Sequence, residues 1–307
     1  MAGSKKWFVI INPTSGNGRC KKKWPIIKKL LDEYDFDFDF VFTKYANDST
    51  AIVQNTIKKG FRNIICVGGD GTLHNIVNGI MQQSKVPSAL INIGVIPIGT
   101  GNDWIKTYNI PKDIEKGIQL IKNGNTKIQD VGKIELVNQD KKPVYFVNLA
   151  GVGFDGYVIY RMRKYKRLGA LSYLIGALLG LFSFKNFNSQ VLLNSEEISG
   201  KNLMVLIGLC KYSGGGMQLT KTPNPFDGLF DVTIAKNFSK FNVLSNLHKL
   251  FNGKIINFAK VVNYKTTSIE IITNKKELTF IQADGELIGK GHIKATIISK
   301  ALQFYCS

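Results

Sequence analysis

The sequence predicts an α/β domain followed by a mainly antiparallel β domain with inserted helices. Up to about Thr126, apolar strand-like runs alternate with amphipathic helical patterns, which is typical of βαβ units and a mostly parallel sheet. After that point, short strand-like runs follow one another with turn residues between them. The length of 307 residues suits two domains of roughly 100–200 residues each. We therefore predict domains at 1–128 and 129–307, with a boundary near Thr126–Val131 and the last residues free to return to the first domain.

The elements of the first domain follow from apolar periodicity and its interruptions. Strands are predicted at Lys5–Asn12, Phe36–Phe42, Asn63–Val67 and Ile91–Pro97. A helix with Pro25 near its start follows the first strand. A second helix, capped by Asp48 or Ser49, ends at Gly60. A third helix follows the third strand, because apolar residues recur at helical spacing from Leu73 to Met81.

The second domain is predicted as short strands with two helical regions. The strands lie at Lys127–Val137, Val144–Ala150, Gln190–Asn194, Asn202–Lys211, Leu229–Ala235, Ser268–Thr273, Leu278–Ala283 and Ile293–Ile298. Helices are predicted near Ser239–Leu250 and in Tyr157–Phe184. Within the latter, Leu168–Phe184 has 17 residues without a charge, the short limit for a membrane span, so a buried or interfacial helix is favoured. Arg161–Arg167 has five basic residues in seven, which is typical of contact with an anionic membrane, a solvated helix face being the alternative.

The charge balance favours anionic partners. Lys plus Arg number 41 and Asp plus Glu number 22, so the net charge is +19. Such a surplus suits nucleic acid, anionic lipid or phosphorylated substrates, and a general solubility bias is the alternative. Because the sequence has no nucleic-acid recognition motif and no platform of interleaved aromatic residues, we expect no nucleic-acid partner. Four cysteines without metal-binding spacing, and no signal-peptide pattern, indicate reduced thiols in a cytoplasmic protein.

Two glycine-rich loops follow predicted parallel strands, at the edge of an α/β sheet where ligands bind. They are Gly68-Gly69-Asp70-Gly71-Thr72 and Gly99-Thr100-Gly101-Asn102-Asp103. Glycines leave backbone N–H groups accessible, and a following helix N-terminus favours negative charge, so both loops are candidates for holding phosphate. Asp-Gly is also a common turn dipeptide, so plain turns are the alternative. The sequence has no GxxxxGK[ST] motif, no GxSxG motif and no protein-kinase motif set.

Four motifs occur along the chain in a fixed order. They are Asn12-Pro-Thr-Ser-Gly-Asn-Gly18, Gly68-Gly-Asp-Gly-Thr72, Pro97-Ile-Gly-Thr-Gly-Asn-Asp103 and Asp284-Gly-Glu286. Together they resemble the bacterial diacylglycerol-kinase-like lipid kinases, within a superfamily that also holds sphingosine kinases and NAD kinases. GGDGT alone is shared with NAD kinases, whereas GGDGT followed by GTGND is specific to the lipid kinases. The resemblance implies an N-terminal nucleotide-binding domain with a Rossmann-like parallel sheet, a C-terminal antiparallel β-sandwich, and an active site in the cleft between them.

The resemblance also implies which residues carry the chemistry. ATP would be contacted by Asn12, Thr43, Gly68, Gly69, Asp70, Gly71, Thr72, Thr100, Gly101 and Asn102. Glu286 is the expected proton acceptor and Asp284 the competing candidate, although Asp-Gly also suits a plain β-turn. Mg²⁺ would be held by Asp227 with the carbonyls of Asn224 and Leu229, in a structural or regulatory role, with a simple hairpin as the alternative. The family's usual Asn-Glu after the first loop is replaced here by His74-Asn75, which removes a charge.

The function implied by the resemblance is an ATP- and Mg²⁺-dependent kinase that phosphorylates the hydroxyl of a membrane lipid. Diacylglycerol, converted to phosphatidic acid, is the leading expectation for the acceptor. The alternatives are another lipid alcohol, such as a sphingoid base or phosphatidylglycerol, then NAD, and then a non-catalytic protein that binds nucleotide or lipid. We expect a cytoplasmic protein in peripheral contact with the inner face of the membrane, and we leave a homodimer open.

Overall fold

The computed structural model describes residues 6–162, 183–194, 196–273 and 279–307. The chain divides into two compact units. Unit 1 comprises Met1–Gln129 together with Lys300–Ser307, and unit 2 comprises Asp130–Ser299.

Unit 1 is built on a parallel sheet. Its strands are β1 (Lys6–Ile11), β2 (Asp37–Phe42), β3 (Asn63–Gly68) and β4 (Asn92–Pro97), in the spatial order β4-β3-β1-β2. The C-terminal end of β15 (Ile293–Tyr305) adds to this sheet in parallel beside β4. Every residue of β3 is buried, as expected for a strand covered on both faces. The parallel amino-terminal sheet confirms the predicted fold class of this part.

Helices connect the strands of unit 1, and each of them buries apolar residues. They are α1 (Arg19–Glu33), α2 (Asp48–Lys58), α3 (Asp70–Gln82), α4 (Trp104–Thr107) and α5 (Ile114–Asn123). Helix α5 was not predicted, although the sequence contains the signals for its start and its end. The Asp113 side chain caps it by accepting from the Lys116 amide at 3.0 Å, and Gly124 ends it at φ +80°.

Two predicted helix starts in unit 1 are wrong. Pro25 lies in the interior of α1, because that helix begins six residues earlier, at Arg19. Neither Asp48 nor Ser49 caps α2, because the chain enters this helix through Asn47 in the left-handed conformation at φ +64°. Asp48 is instead the first helical residue, and its carboxylate accepts from the Lys44 amide at 2.7 Å.

Unit 2 is a largely antiparallel assembly. Its strands are β5 (Thr126–Leu136, which begins in unit 1), β6 (Val144–Phe146), β7 (Leu149–Gly153), β8 (Phe187–Leu193), β9 (Glu196–Gly208), β10 (Phe230–Lys236), β11 (Val261–Thr266), β12 (Ser268–Thr273), β13 (Phe280–Ala283), β14 (Glu286–Lys290) and the first part of β15. One path runs β14-β13-β7-β9-β8-β12-β15, and β10 pairs with β9 and β11. The antiparallel pairing confirms the predicted class, while β11 and β14 were not predicted.

Helices α6 (Phe154–Met162) and α7 (Lys240–Asn246) pack against this assembly. A capping box at Ser239 and Asn242 starts α7 and bears out the helix predicted there. Most of Leu168–Phe184 and of the basic run Arg161–Arg167 lies outside the described residues. Over the ranges that are described, no helix has the length and apolar character needed to cross a membrane.

Candidate active site

The two glycine loops meet at the carboxyl edge of the unit 1 sheet. The first follows β3 and the second follows β4, and these two strands are neighbours in the sheet. A Cβ atom on Gly69 would lie 2.9 Å from the Cα of Gly99, and one on Gly99 would lie 2.6 Å from the Cα of Gly69. The backbones therefore touch at a distance that only glycine permits.

Asn12 joins the loop after β1 to the same edge. Its side-chain amide donates to the hydroxyl of Thr72 at 3.0 Å. Its side-chain carbonyl accepts from the amide and the hydroxyl of Thr14 at 3.1 and 2.9 Å. Thr43, just after β2, donates its backbone N–H to the carbonyl of Ile11 at 2.9 Å. The structure thus brings the predicted residues of four successive strand ends to one edge of the sheet.

Asp70 shapes the second loop. Its carboxylate accepts from the backbone amides of Asp103 at 3.2 Å and Trp104 at 3.4 Å, which begin α4. Asn102 is buried in the left-handed conformation at φ +48° and donates its side-chain amide to the carbonyl of Gly99 at 2.9 Å. Both side chains therefore hold loop backbone in place, while Thr100 is exposed at the tip of the loop.

Trp104, which was not among the predicted site residues, anchors the second loop. Its ring is 1 % exposed and lies 4.5 Å, between centroids, from those of Tyr108 and Phe304. Its indole N–H donates to the Gln129 side chain at 3.0 Å. The signal in the sequence was a large aromatic residue directly after GTGND, which fixes the loop to the core of unit 1.

The surface beside these loops is strongly basic. Helix α1 starts after Gly18 with Arg19, Lys21, Lys22 and Lys23, all exposed, and has no acidic residue in its first turn. Cations at a helix N-terminus oppose the helix dipole and lower helix stability. This arrangement favours an anion at the start of α1.

The two cysteines beneath the loops are not nucleophiles. Burial raises the pKa of the Cys20 thiol to about 11. Burial, and secondarily the nearby Cys20 and Asp70, also raises the pKa of Cys66. Since the reactive form is the thiolate, both side chains are inert near neutral pH.

The Asp284-Gly-Glu286 motif forms the turn between β13 and β14 in unit 2, with Asp284 at φ +50° and Gly285 at φ +82°. The Asp284 carboxylate accepts from three consecutive backbone amides, at 3.1 Å from Val147, 2.9 Å from Asn148 and 3.3 Å from Leu149.

Glu286 has a different environment in the same turn. Its side chain is half-buried. Across the described part of the chain, its carboxylate has neither a hydrogen bond nor an ion pair. The structure therefore separates one carboxylate that holds backbone from a neighbour that is available for chemistry.

The loop predicted to hold Mg²⁺ lies before β10. Asp227 accepts from the Leu229 amide at 3.1 Å and from the Lys265 ammonium at 2.8 Å, and the Asn224 side chain accepts from the Phe226 amide at 3.1 Å. The oxygen donors suit Mg²⁺, but a metal on that carboxylate oxygen has to displace Lys265. Among the residues that the structure covers, no group of three His, Cys, Asp or Glu side chains could hold a metal.

Comparison with known proteins assigns both halves of the chain. The family model described as diacylglycerol kinase catalytic domain matches residues 6–134, and that described as YegS C-terminal NAD kinase beta sandwich-like domain matches residues 148–306. The chain is 28% identical to a diacylglycerol kinase of Staphylococcus carnosus (strain TM300), covering 93% of this chain and 90% of that protein. It is 27% identical to a diacylglycerol kinase of Bacillus subtilis (strain 168), covering 93% and 91%.

A similar fold is also known from crystallography. A crystal structure of a diacylglycerol kinase from Bacillus anthracis str. Sterne matches with a TM-score of 0.73. The identity is 20%, and the match covers 100% of this chain and 98% of that one.

Proposed function

Because the chain belongs to the diacylglycerol kinase family of lipid kinases, we propose that it phosphorylates diacylglycerol with ATP and releases phosphatidic acid. The observation that carries the proposal is the interlocked pair of glycine loops at the carboxyl edge of the unit 1 sheet. This is the edge at which α/β proteins bind phosphorylated ligands. The names of the relatives support diacylglycerol as the acceptor.

The nucleotide is assigned to unit 1. Backbone N–H groups of the two loops and the N-terminus of α3 suit the phosphates of ATP. The side chains of Asn12 and Thr72, which are hydrogen-bonded to each other at 3.0 Å, form one side of this proposed phosphate site. The cations at the start of α1 supply the positive charge that phosphoryl transfer needs.

The proton acceptor is assigned to Glu286, whose carboxylate is available, rather than to Asp284, whose carboxylate holds three amides. In the transfer, the lipid hydroxyl oxygen forms a bond to the γ-phosphorus while the bond to the bridging oxygen breaks and ADP leaves. Glu286 takes the hydroxyl proton as that bond forms.

Mg²⁺ neutralises phosphate charge when it accompanies ATP. In the protein, Asp227 with the carbonyls of Asn224 and Leu229 would hold a supporting ion, in competition with Lys265. We place the reaction at the cytoplasmic face of the membrane, where the acceptor lies.

Transfer of labelled phosphate from ATP to a panel of acceptors in mixed micelles tests the proposal. The panel holds diacylglycerol, a sphingoid base, phosphatidylglycerol and NAD. We expect label on diacylglycerol, loss of label in Glu286→Gln, and unchanged transfer in Glu196→Gln, which alters an exposed carboxylate at the start of β9. If another member of the panel carried the label, that compound would be the substrate instead of diacylglycerol. If no member carried it, the proposed kinase activity would be refuted, and a protein that only binds nucleotide or lipid would remain.

A further inference from the structure

Three large apolar side chains lie exposed within eleven residues of unit 2. Phe241 is 75%, Leu244 is 46% and Phe251 is 57% exposed. Phe241 and Leu244 share one face of α7, because residues three apart are neighbours on a helix. Val243 of α7 and Leu250, which follows the helix, pack on a buried cluster. Isolated exposed apolar residues are normal, whereas a group of them marks an interaction surface.

The charged side chains in the stretch of sequence that carries this face all have one sign. Between Asp231 and Glu270 the sequence has no acidic residue and six lysines: Lys236, Lys240, Lys249, Lys254, Lys260 and Lys265. Lys240 and Lys254 are exposed and flank the three apolar residues along the chain. Lys260 supports the start of α7 by donating to the Asn237 carbonyl and the Asn242 side chain, both at 3.1 Å.

A cavity of about 260 Å³ lies against α7. Phe154, Phe184, Phe238 and Val243 give it an apolar wall, and Lys185 and Lys240 also line it. An apolar surface bordered by ammonium groups matches the chemistry of a lipid, which has an acyl region beside an anionic headgroup.

We propose that the surface spanning Lys240–Lys254, hereafter the α7 surface, docks on an anionic lipid bilayer. Phe241, Leu244 and Phe251 enter the interfacial region, and Lys240 and Lys254 lie over the headgroup phosphates. This inference deepens the proposed function, since a kinase for a membrane lipid has to reach the bilayer. It assigns the contact to Lys240–Lys254, a stretch of the sequence that does not overlap Arg161–Phe184.

Sedimentation with lipid vesicles, in the absence of ATP, tests this inference. The full chain is mixed at about 0.1 M salt with vesicles of phosphatidylcholine alone or with about 30 mol % phosphatidylglycerol. We expect the unaltered protein to bind the anionic vesicles. Its affinity for them should fall by about tenfold or more in Phe241→Ser/Phe251→Ser, and by about fivefold for each lysine replaced in Lys240→Gln/Lys254→Gln.

Matched controls come from unit 1. Ile26→Ser/Leu90→Ser alters apolar residues that are 56% and 58% exposed, and Lys58→Gln/Lys59→Gln removes two exposed lysines. Both controls should bind vesicles as the unaltered protein does. Transfer to a short-chain diacylglycerol in micelles should persist in the α7 variants, so that loss of docking and loss of the proposed activity are distinguishable.

Three results would overturn the inference. The first is vesicle binding that is unchanged in both α7 variants. The second is binding abolished by neutralising Arg161–Arg167 and unaffected by the α7 variants. The third is a protein that sediments as a dimer and becomes monomeric in Phe241→Ser/Phe251→Ser, which would assign the α7 surface to contact between two copies.

Discussion

Replacing one carboxylate oxygen by an NH₂ group, first in Asp284 and then in Glu286, tests whether the first residue stabilises the fold and the second takes part in catalysis. Asp284→Asn and Glu286→Gln both remove a negative charge and keep the shape of the side chain. We expect the first to destabilise unit 2 and the second to stop phosphoryl transfer without affecting stability. The two substitutions are therefore matched controls for each other.

The cost of Asp284→Asn follows from its three donors. Its Oδ1 accepts from the amides of Asn148 and Leu149 and its Oδ2 from that of Val147, and all three donor residues are buried. An amide in this place keeps one acceptor oxygen and turns an NH₂ group toward a backbone N–H. One charge-assisted bond is lost, and the remaining bonds weaken because neutral acceptors bind about half as strongly. The free energy of unfolding should fall by about 3 kcal/mol or more.

Glu286→Gln removes no contact within the described residues. The free energy of unfolding of this variant should therefore lie within about 0.5 kcal/mol of that of the unaltered protein. Its transfer rate should fall by about 10²- to 10⁴-fold, the usual contribution of a general base.

Urea unfolding followed by far-ultraviolet circular dichroism measures the stability. Tryptophan fluorescence would report on unit 1 alone, because all three tryptophans, Trp7, Trp24 and Trp104, lie there. Transfer per folded molecule is measured in parallel. An Asp284→Asn protein with unchanged unfolding and no transfer, beside an active Glu286→Gln protein, would refute the assignment.

Three further outcomes are expected. Gly69→Ala places a methyl carbon 2.9 Å from the Cα of Gly99, so it should weaken ATP binding about tenfold or more, as measured by calorimetric titration. Gly117→Ala is the control and should leave ATP binding unchanged, because its methyl carbon would lie 3.8 Å from the nearest atom, the carbonyl oxygen of Pro111. Mg²⁺ should raise the urea midpoint of the unaltered protein but not of Asp227→Asn, and a midpoint unmoved in both would exclude Asp227 as a ligand. The buried thiol of Cys20 keeps its proton up to a pKa of about 11, while the unfolded thiol loses it near 9.0. Cys20 should therefore make stability fall as pH rises from 9 to 11, by up to about 1.4 kcal/mol per pH unit. Cys20→Ala should reduce the observed slope by this amount, while the contribution of the other buried thiols, such as Cys66, remains.

The parallel sheet of unit 1 was predictable because β1, β3 and β4 are largely buried and carry apolar runs, while the edge strand β2 alternates apolar and polar residues. β3 and β4 are bounded by glycine and proline, which made their ends visible in the sequence. β11 was missed because its residues are nearly all half-buried and give no clear alternation. β14 was missed because it is short and contains Gly289.

The position of the glycine loops could be predicted, but the partners inside them could not. Spacing and strand order are local properties, so they place both loops at one sheet edge. The bonds from the amides of Asp103 and Trp104 to Asp70 join residues 33 and 34 positions apart. The periodicity of the sequence does not indicate such a contact, and the resemblance placed Asp70 only among the residues expected to contact ATP.

In the Asp284-Gly-Glu286 turn, too, the roles of the side chains depend on contacts with residues far away in the sequence. The sequence presents two carboxylates two residues apart and gives no ground in physical chemistry for separating their roles. The donors that occupy Asp284 come from residues 135 to 137 positions away, at the entry to β7. Once β13 pairs with β7, Asp284 is placed beside these amides while Glu286, across the turn, is left free of them. The pairing of two strands that are distant in sequence thus fixes which carboxylate holds the backbone and which one remains for the proton transfer that we propose.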